Sequence, residues 1–245
     1  MRVKNLSLVL LSTVCGAALL PAAAVAQDAQ TVTELAPITV QGRAKQDPNA
    51  PVKGFVARTS STATKTGTPI LETQQSISVI TADQLKAQDA ETVGQALDYT
   101  PGVVSQPGGS DPRFDAPRIR GFDGRQSHYL NGLRLMRTAG APAIDTWSIE
   151  RIEVLRGPAS VIHGDGAIGG VINIVPKKPS RGAIENEISV TVGSEDTARL
   201  GFGSGGALTP ELAYRLDLSG NYSGGWVDRG RNNDATFSGA LLWQP

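Results

Sequence analysis

Leu212-Ala213-Tyr214-Arg215-Leu216-Asp217-Leu218-Ser219-Gly220-Asn221-Tyr222 alternates along its whole length. Leu212, Tyr214, Leu216, Leu218 and Tyr222 fall on one side, and Arg215, Asp217, Ser219 and Asn221 on the other. That two-residue period is a β-strand with one apolar and one polar face. The flanking stretches repeat it. Upstream, Ile184, Ile188, Val190 and Val192 share a face that Asn186 interrupts, and Ala198, Leu200 and Phe202 oppose Arg199, Gly201 and Gly203. Downstream, Ala235, Phe237, Leu241 and Trp243 oppose Thr236, Ser238, Ala240 and Leu242. Each window runs about ten residues between turn residues, the length at which a tilted strand crosses a bilayer. Half of the aromatic residues lie within 184–245, several near strand ends, as in the girdles of membrane barrels. A soluble β-sandwich alternates in the same way, so the pattern alone leaves both architectures open.

Upstream of these strands, residues 69–180 read as a compact α+β unit. Ser76-Ile77-Ser78-Val79-Ile80 alternates as a strand. Thr81 with Gln84, and Thr92 with Gln95, make capping-box patterns that predict helices starting near residues 82 and 93. Tyr99-Thr100-Pro101-Gly102 stops the second helix. Asn131-Gly132 sits between apolar positions in Tyr129-Leu130-Asn131-Gly132-Leu133-Arg134 and predicts a tight hairpin. Ile152 and Val154 alternate with Arg151 and Glu153, which reads as a half-buried strand, whereas Val171 to Val175 reads as a fully buried one.

The N-terminal end has another character. Arg2 and Lys4 precede the apolar run Leu6 to Leu20, and Ala24-Val25-Ala26 offers a small-residue cleavage site, the pattern of a secretory signal peptide over residues 1–26. An uncleaved anchor is the alternative, disfavoured by Pro21 and the small residues after it. Taking Arg2 and Lys4 from the 23 basic residues leaves 21 against 23 acidic ones, which excludes the charge balance of a nucleic-acid binder. The single cysteine, Cys15, lies in the leader, so neither disulfides nor thiolate chemistry are expected beyond it. Residues 27–67 are rich in Thr, Ala, Ser, Pro and Gln and read as a flexible segment. Within it, Glu34-Leu35-Ala36-Pro37-Ile38-Thr39-Val40 forms a helix-blocked β-patch. It is either a plain linker or a strand free to join another protein's sheet edge.

Several fragments together resemble the plug domain of TonB-dependent outer-membrane receptors, the ferrichrome-type siderophore branch in particular. They are Thr68-Pro69-Ile70 through Thr81, Ala96-Leu97-Asp98-Tyr99-Thr100-Pro101-Gly102-Val103, Ile119-Arg120-Gly121-Phe122 and Tyr129-Leu130-Asn131-Gly132-Leu133. The most specific is Ile149-Glu150-Arg151-Ile152-Glu153-Val154-Leu155-Arg156-Gly157-Pro158-Ala159-Ser160, which runs on through Gly164, Gly169 to Val175 and Lys177-Lys178-Pro179. The resemblance implies a plug over residues 68–180 and barrel strands over 181–245. The implied fold is an α+β plug domain followed by antiparallel transmembrane β-strands of an incomplete β-barrel of the roughly 22-stranded type. Four strands cannot close a barrel, because open edges in lipid leave backbone groups unpaired, so the chain is expected to be either a truncated product or part of a longer protein. The resemblance also turns Glu34–Val40 into a TonB box. Because that box starts soon after the cleavage site, a transporter is expected rather than a transducer with an extra signalling domain.

The implied function is active uptake of a ferric siderophore through the outer membrane of a Gram-negative bacterium, with TonB, the ferric chelate and outer-membrane lipid as partners. A TonB-dependent receptor for another cargo, such as cobalamin or an oligosaccharide, and a soluble periplasmic β-rich binding module are the alternatives. No catalysis and no resident cofactor are implied, since iron travels as a chelate. Arg120 aligns with the family's R-G-F arginine, His163 stands where ferrichrome-type receptors have a tyrosine, and Arg137 lies in the loop after the hairpin. These three are the expected ligand contacts, guanidinium groups being suited to a chelate's anionic oxygens. Glu150, Glu153 and Arg156 are expected to make structural ion pairs between plug and barrel wall. Gly164-Asp165-Gly166-Ala167-Ile168-Gly169 matches a dinucleotide fingerprint but leads into a strand rather than a helix, so it reads as a turn. Two histidines without a cysteine partner make a His/Cys metal site unexpected.

Overall fold

The computed structural model of the protein describes residues 50–109, 111, 113–135, 141–164, 168–224 and 230–245. The expected leader, the Glu34–Val40 patch and Arg137 lie outside the described residues. The first body is built on a five-stranded sheet of β1 (Ser76–Thr81), β2 (His128–Leu130), β3 (Leu133–Arg134), β4 (Ile149–Arg156) and β5 (Gly170–Pro176), in the spatial order β1-β4-β5-β2-β3. β4 is central in the contacts that matter, antiparallel to both β1 and β5, with Glu153 opposite Val79 on one side and Asn173 on the other. β2 joins β5 in parallel and turns into β3 through Asn131 and Gly132, whose φ values of 50° and 83° make the two-residue hairpin the sequence predicts.

Both capping patterns fold as helix starts. Thr81 accepts a hydrogen bond from the Gln84 amide at 3.2 Å and opens α1 (Ala82–Ala87). Thr92 and Gln95 cap each other reciprocally at the start of α2 (Val93–Ala96). These helices lay Leu85, Val93, Ala96 and Leu97 over Ile80, Ile152, Val154, Ile172 and Ile174, forming the main apolar core. Burying such side chains contributes about 1.5–3 kcal/mol each.

One expectation is corrected here. β4 is not half-buried: Arg151 and Glu153 are 1% and 0% exposed, as deep as Ile152 and Val154 on the other face. The cause lies in residues 59–64, part of the segment expected to be flexible. Thr59–Ser60 pairs with Thr68–Pro69, and the strap so formed buries Ser60, Thr62 and Ala63 over the polar face of β4. The Ser/Thr composition that reads as a linker supplies hydroxyl partners for a buried carboxylate.

The remaining strands form a separate four-stranded antiparallel sheet of β6 (Glu185–Val192), β7 (Ala198–Ala207), β8 (Leu212–Ser223) and β9 (Asn232–Trp243). Its register places Val190 opposite Leu200, and Phe202 opposite Leu218, itself opposite Phe237. One face exposes Ile188, Val190, Val192, Leu200, Phe237, Leu241 and Trp243. The other packs Gly201, Asp217 and Ser219 against the first body. The strands and faces are those the alternation predicts. No helix among the described residues is long and apolar enough to cross a membrane.

The contact of Asp115 with α2 adds a pH-sensitive element. Asp115 accepts a 3.0 Å hydrogen bond from the Gly94 amide in α2, and burial pushes its carboxyl up to about 7. The folded value stands above the ordinary carboxylate value, so the contribution to stability is full below about pH 4 and is lost as pH rises through 7. Urea unfolding at pH 5 and pH 8 is expected to show a loss of roughly 1–2 kcal/mol at the higher pH, and Asp115→Asn is expected to remove most of it.

Candidate functional site

Three glycine-containing turns meet at one face of the first body. Val103–Val104, Arg118–Ile119 and Phe122–Asp123 form a small three-stranded sheet there. At its bend Arg120 adopts a left-handed backbone (φ 51°), and its amide donates to the Gly102 carbonyl at 2.8 Å. A non-glycine residue in this conformation is strained and marks positions worth a functional hypothesis. The Arg120 side chain crosses two bare turns: a Cβ at Gly157 would stand 3.0 Å from its Nη1, and one at Gly102 3.9 Å from its Cγ. Arg120 is exposed, and its guanidinium has no hydrogen-bond or ion-pair partner among the described residues.

Arg156 lies beside it and donates from Nη1 to the Pro101 carbonyl at 2.7 Å. Burial, and then the neighbouring Arg120 charge, hold its pKa below the ordinary guanidinium value. Arg156 thus ties the R-G-P turn to the Thr100-Pro101-Gly102 turn inside the first body.

His163 points elsewhere. It ends α3 (Ser160–His163) with its ring buried. Nε2 lies 2.7 Å from the Thr62 carbonyl, Nδ1 lies 3.4 Å from Lys65 Nζ, and the Tyr129 hydroxyl donates to the His163 carbonyl at 2.7 Å. The expected ligand contact is therefore corrected: both ring nitrogens are engaged in fastening the strap.

Glu153 is also an internal residue. Its carboxylate accepts from Ser60 Oγ at 2.6 Å, from Thr62 Oγ1 at 2.5 Å and from Arg151 Nε at 2.6 Å, while Asn173 Nδ2 donates to Thr62 Oγ1 at 2.9 Å. Such a pair is tolerated in a core only when the surrounding hydrogen bonds are complete. Glu150 accepts from the Val52 amide at 3.0 Å and so holds the start of the described chain. Glu153 is thus engaged within the first body rather than in the expected plug–wall ion pair, and the contacts of Glu150 and Arg156 among the described residues also lie within it.

Other residues make the wall contact. Asp145 pairs with Arg199 at 2.6 Å and accepts from Ser219 Oγ at 2.9 Å. Trp147 donates from Nε1 to the Phe202 carbonyl at 3.0 Å, and its ring lies so close to Gly201 that a Cβ there would stand 2.8 Å from the indole. Lys177 Nζ sits 4.7 Å from the centre of the Trp147 ring and 3.4 Å from Glu187. None of these was singled out from sequence, although Gly201, Gly203 and Gly205 spaced two apart in one strand signal a close approach by another element.

The model of the family described as "TonB-dependent Receptor Plug Domain" matches residues 69–171. The ferrioxamine receptor of Yersinia enterocolitica is 35% identical over 213 residues, covering 85% of this chain and 30% of that protein. The ferrichrome outer membrane transporter/phage receptor of Escherichia coli K12 is 34% identical over 221 residues, covering 89% of this chain and 29% of that protein. The chain thus spans about 30% of the length of the curated relatives it matches. Among solved structures, the closed form of the ferric-catecholate import receptor Fiu of E. coli superposes with a TM-score of 0.70 at 25% identity, over 77% of this chain and 26% of that one. The pyoverdine outer membrane receptor FpvA of Pseudomonas aeruginosa PAO1 shares the fold with a TM-score of 0.70 at 22% identity, over 82% of this chain and 29% of that one.

Proposed function

Since this chain belongs to the TonB-dependent receptors, with the plug domain of that family at residues 69–171, we propose that it serves the TonB-dependent uptake of a ferric siderophore across the outer membrane. The sheet β6–β9 faces lipid with its exposed apolar side and holds the plug with its polar side. The reading of the Glu34–Val40 patch is that it pairs as a strand with the C-terminal domain of TonB. The role is transport and reception, not catalysis. Ferrioxamine and ferrichrome receptors among the relatives support a ferric siderophore over cobalamin or an oligosaccharide.

The observation that carries the ligand reading is Arg120: on a left-handed backbone, its exposed guanidinium has no partner among the described residues and lies over two bare turns. It is suited to donating charge-assisted hydrogen bonds to chelate oxygens. Tryptophan-quenching titrations of the purified full-length receptor with ferrioxamine B and with ferrichrome test this. Arg120→Ala is expected to weaken the tighter-binding chelate about tenfold or more, the ~1.5–3 kcal/mol typical of a hydrogen bond to a charged group. Unchanged affinity in that variant would remove Arg120 from the ligand contact.

A further inference from the structure

The strap at residues 59–65 is fastened almost entirely by polar contacts. Ala63 is its one member of an apolar cluster, beside Tyr129, Leu155, Ala159 and Val171, and no described residue before Ile80 belongs to the larger core. Thr62 is held from three sides, by Glu153 of β4, Asn173 of β5 and His163 of α3. His163 is the imidazole among them, the side-chain type whose ordinary titration lies near neutrality.

The donors and acceptors around the ring fix its state. The Thr62 carbonyl can only accept, so Nε2 carries the hydrogen. The Lys65 ammonium can only donate, so Nδ1 is bare. A second proton would have to sit on Nδ1, 3.4 Å from a cation. We propose that the strap is a proton-sensitive clasp, fastened by neutral His163 and loosened at its Lys65 end when His163 takes up a proton.

The groups facing the ring are few. Lys65 comes from the strap, Tyr129 of β2 presents its ring edge with centroids 5.0 Å apart, and Glu153 stands beyond Thr62, hydrogen-bonded to it. Burial lowers the His163 pKa; the Thr62 carbonyl opposes that shift and the Lys65 charge adds to it. With the folded value below the ordinary one of about 6.5, fastening is complete above that pH and is lost as pH falls through the folded value. Lys65 is exposed and free to swing away, so loosening begins at that end and leaves the main core untouched.

A nitroxide placed through Ser61→Cys in the full protein, with Cys15 changed to Ala, reads the strap directly. The spectrum is expected to gain a mobile component as pH falls from 7.5 to 5, with a midpoint below about 6.5. Lys65→Met removes both the contact that protonation breaks and the cation that repels the new proton, so most of the pH response is expected to disappear in that variant. His163→Gln keeps a donor for the Thr62 carbonyl and cannot titrate, so its spectrum is expected to stay immobile and flat with pH. A flat wild-type spectrum, or the same pH response in His163→Gln, would overturn the proposal. The chain has two histidines, so a response that survives in His163→Gln and disappears in a His128→Gln control would reassign the effect to the other ring and overturn it equally.

Discussion

Glu153→Leu is expected to destabilise the plug by about 3–5 kcal/mol, the usual cost of leaving a buried charge without its partner. The substitution deletes the acceptor shared by Ser60, Thr62 and Arg151 and leaves the 1%-exposed Arg151 inside the protein without its carboxylate. Leucine fills the volume, so packing loss is small and the effect reports electrostatics and hydrogen bonding. Urea unfolding of the purified protein in detergent, followed by tryptophan fluorescence, measures it. Glu153→Gln separates two components, since it keeps an acceptor for the strap hydroxyls while removing the charge that pairs with Arg151. It is expected to fall between wild type and leucine.

Gly201→Val is expected to lift the plug from the wall. The new Cβ would stand 2.8 Å from the Trp147 indole, closer than packed atoms approach. Trp147 would leave its notch and lose the hydrogen bond to the Phe202 carbonyl, and Lys177 would lose the ring beneath its ammonium. Overpacking of this kind costs ~1–3 kcal/mol, and the broken hydrogen bond adds ~1 kcal/mol. Limited proteolysis of outer membranes is the check: the plug should become cleavable in the variant while β6–β9 stay protected. Gly201→Ala, with one carbon to accommodate, is expected to show the same change more weakly.

These two sites differ in how much of them can be read from sequence. The strands of the wall and their faces are legible because alternation fixes both period and side, and the residues of the exposed apolar face pack against no other element among the described residues. The helix starts at Thr81 and Thr92 and the Asn131-Gly132 turn are legible because their hydrogen bonds close within a few residues. The strap is not. Thr62 and Glu153 are 91 residues apart, and nothing local distinguishes a Ser/Thr stretch that solvates a linker from one that covers a carboxylate. The same gap explains the misreading of β4, where alternation of Arg151 and Glu153 with Ile152 and Val154 gives the period but not whether a second layer lies over the polar face. Arg120 could be found through its motif, whereas the lack of a partner for its guanidinium among the described residues needed the fold. Trp147 and Asp145 look like an ordinary capped turn until β7 is laid against them.

Uptake of radioactive iron supplied as ferrioxamine B, measured in iron-starved cells expressing the gene in paired TonB-positive and TonB-deficient strains, tests the central claim most directly. Ferrichrome and a ferric tris-catecholate serve as parallel cargoes. Accumulation in the TonB-positive strain and its absence in the deficient strain is the predicted result. Uptake that ignores TonB, or none from any of the three chelates while the protein is present in the outer membrane, would contradict it.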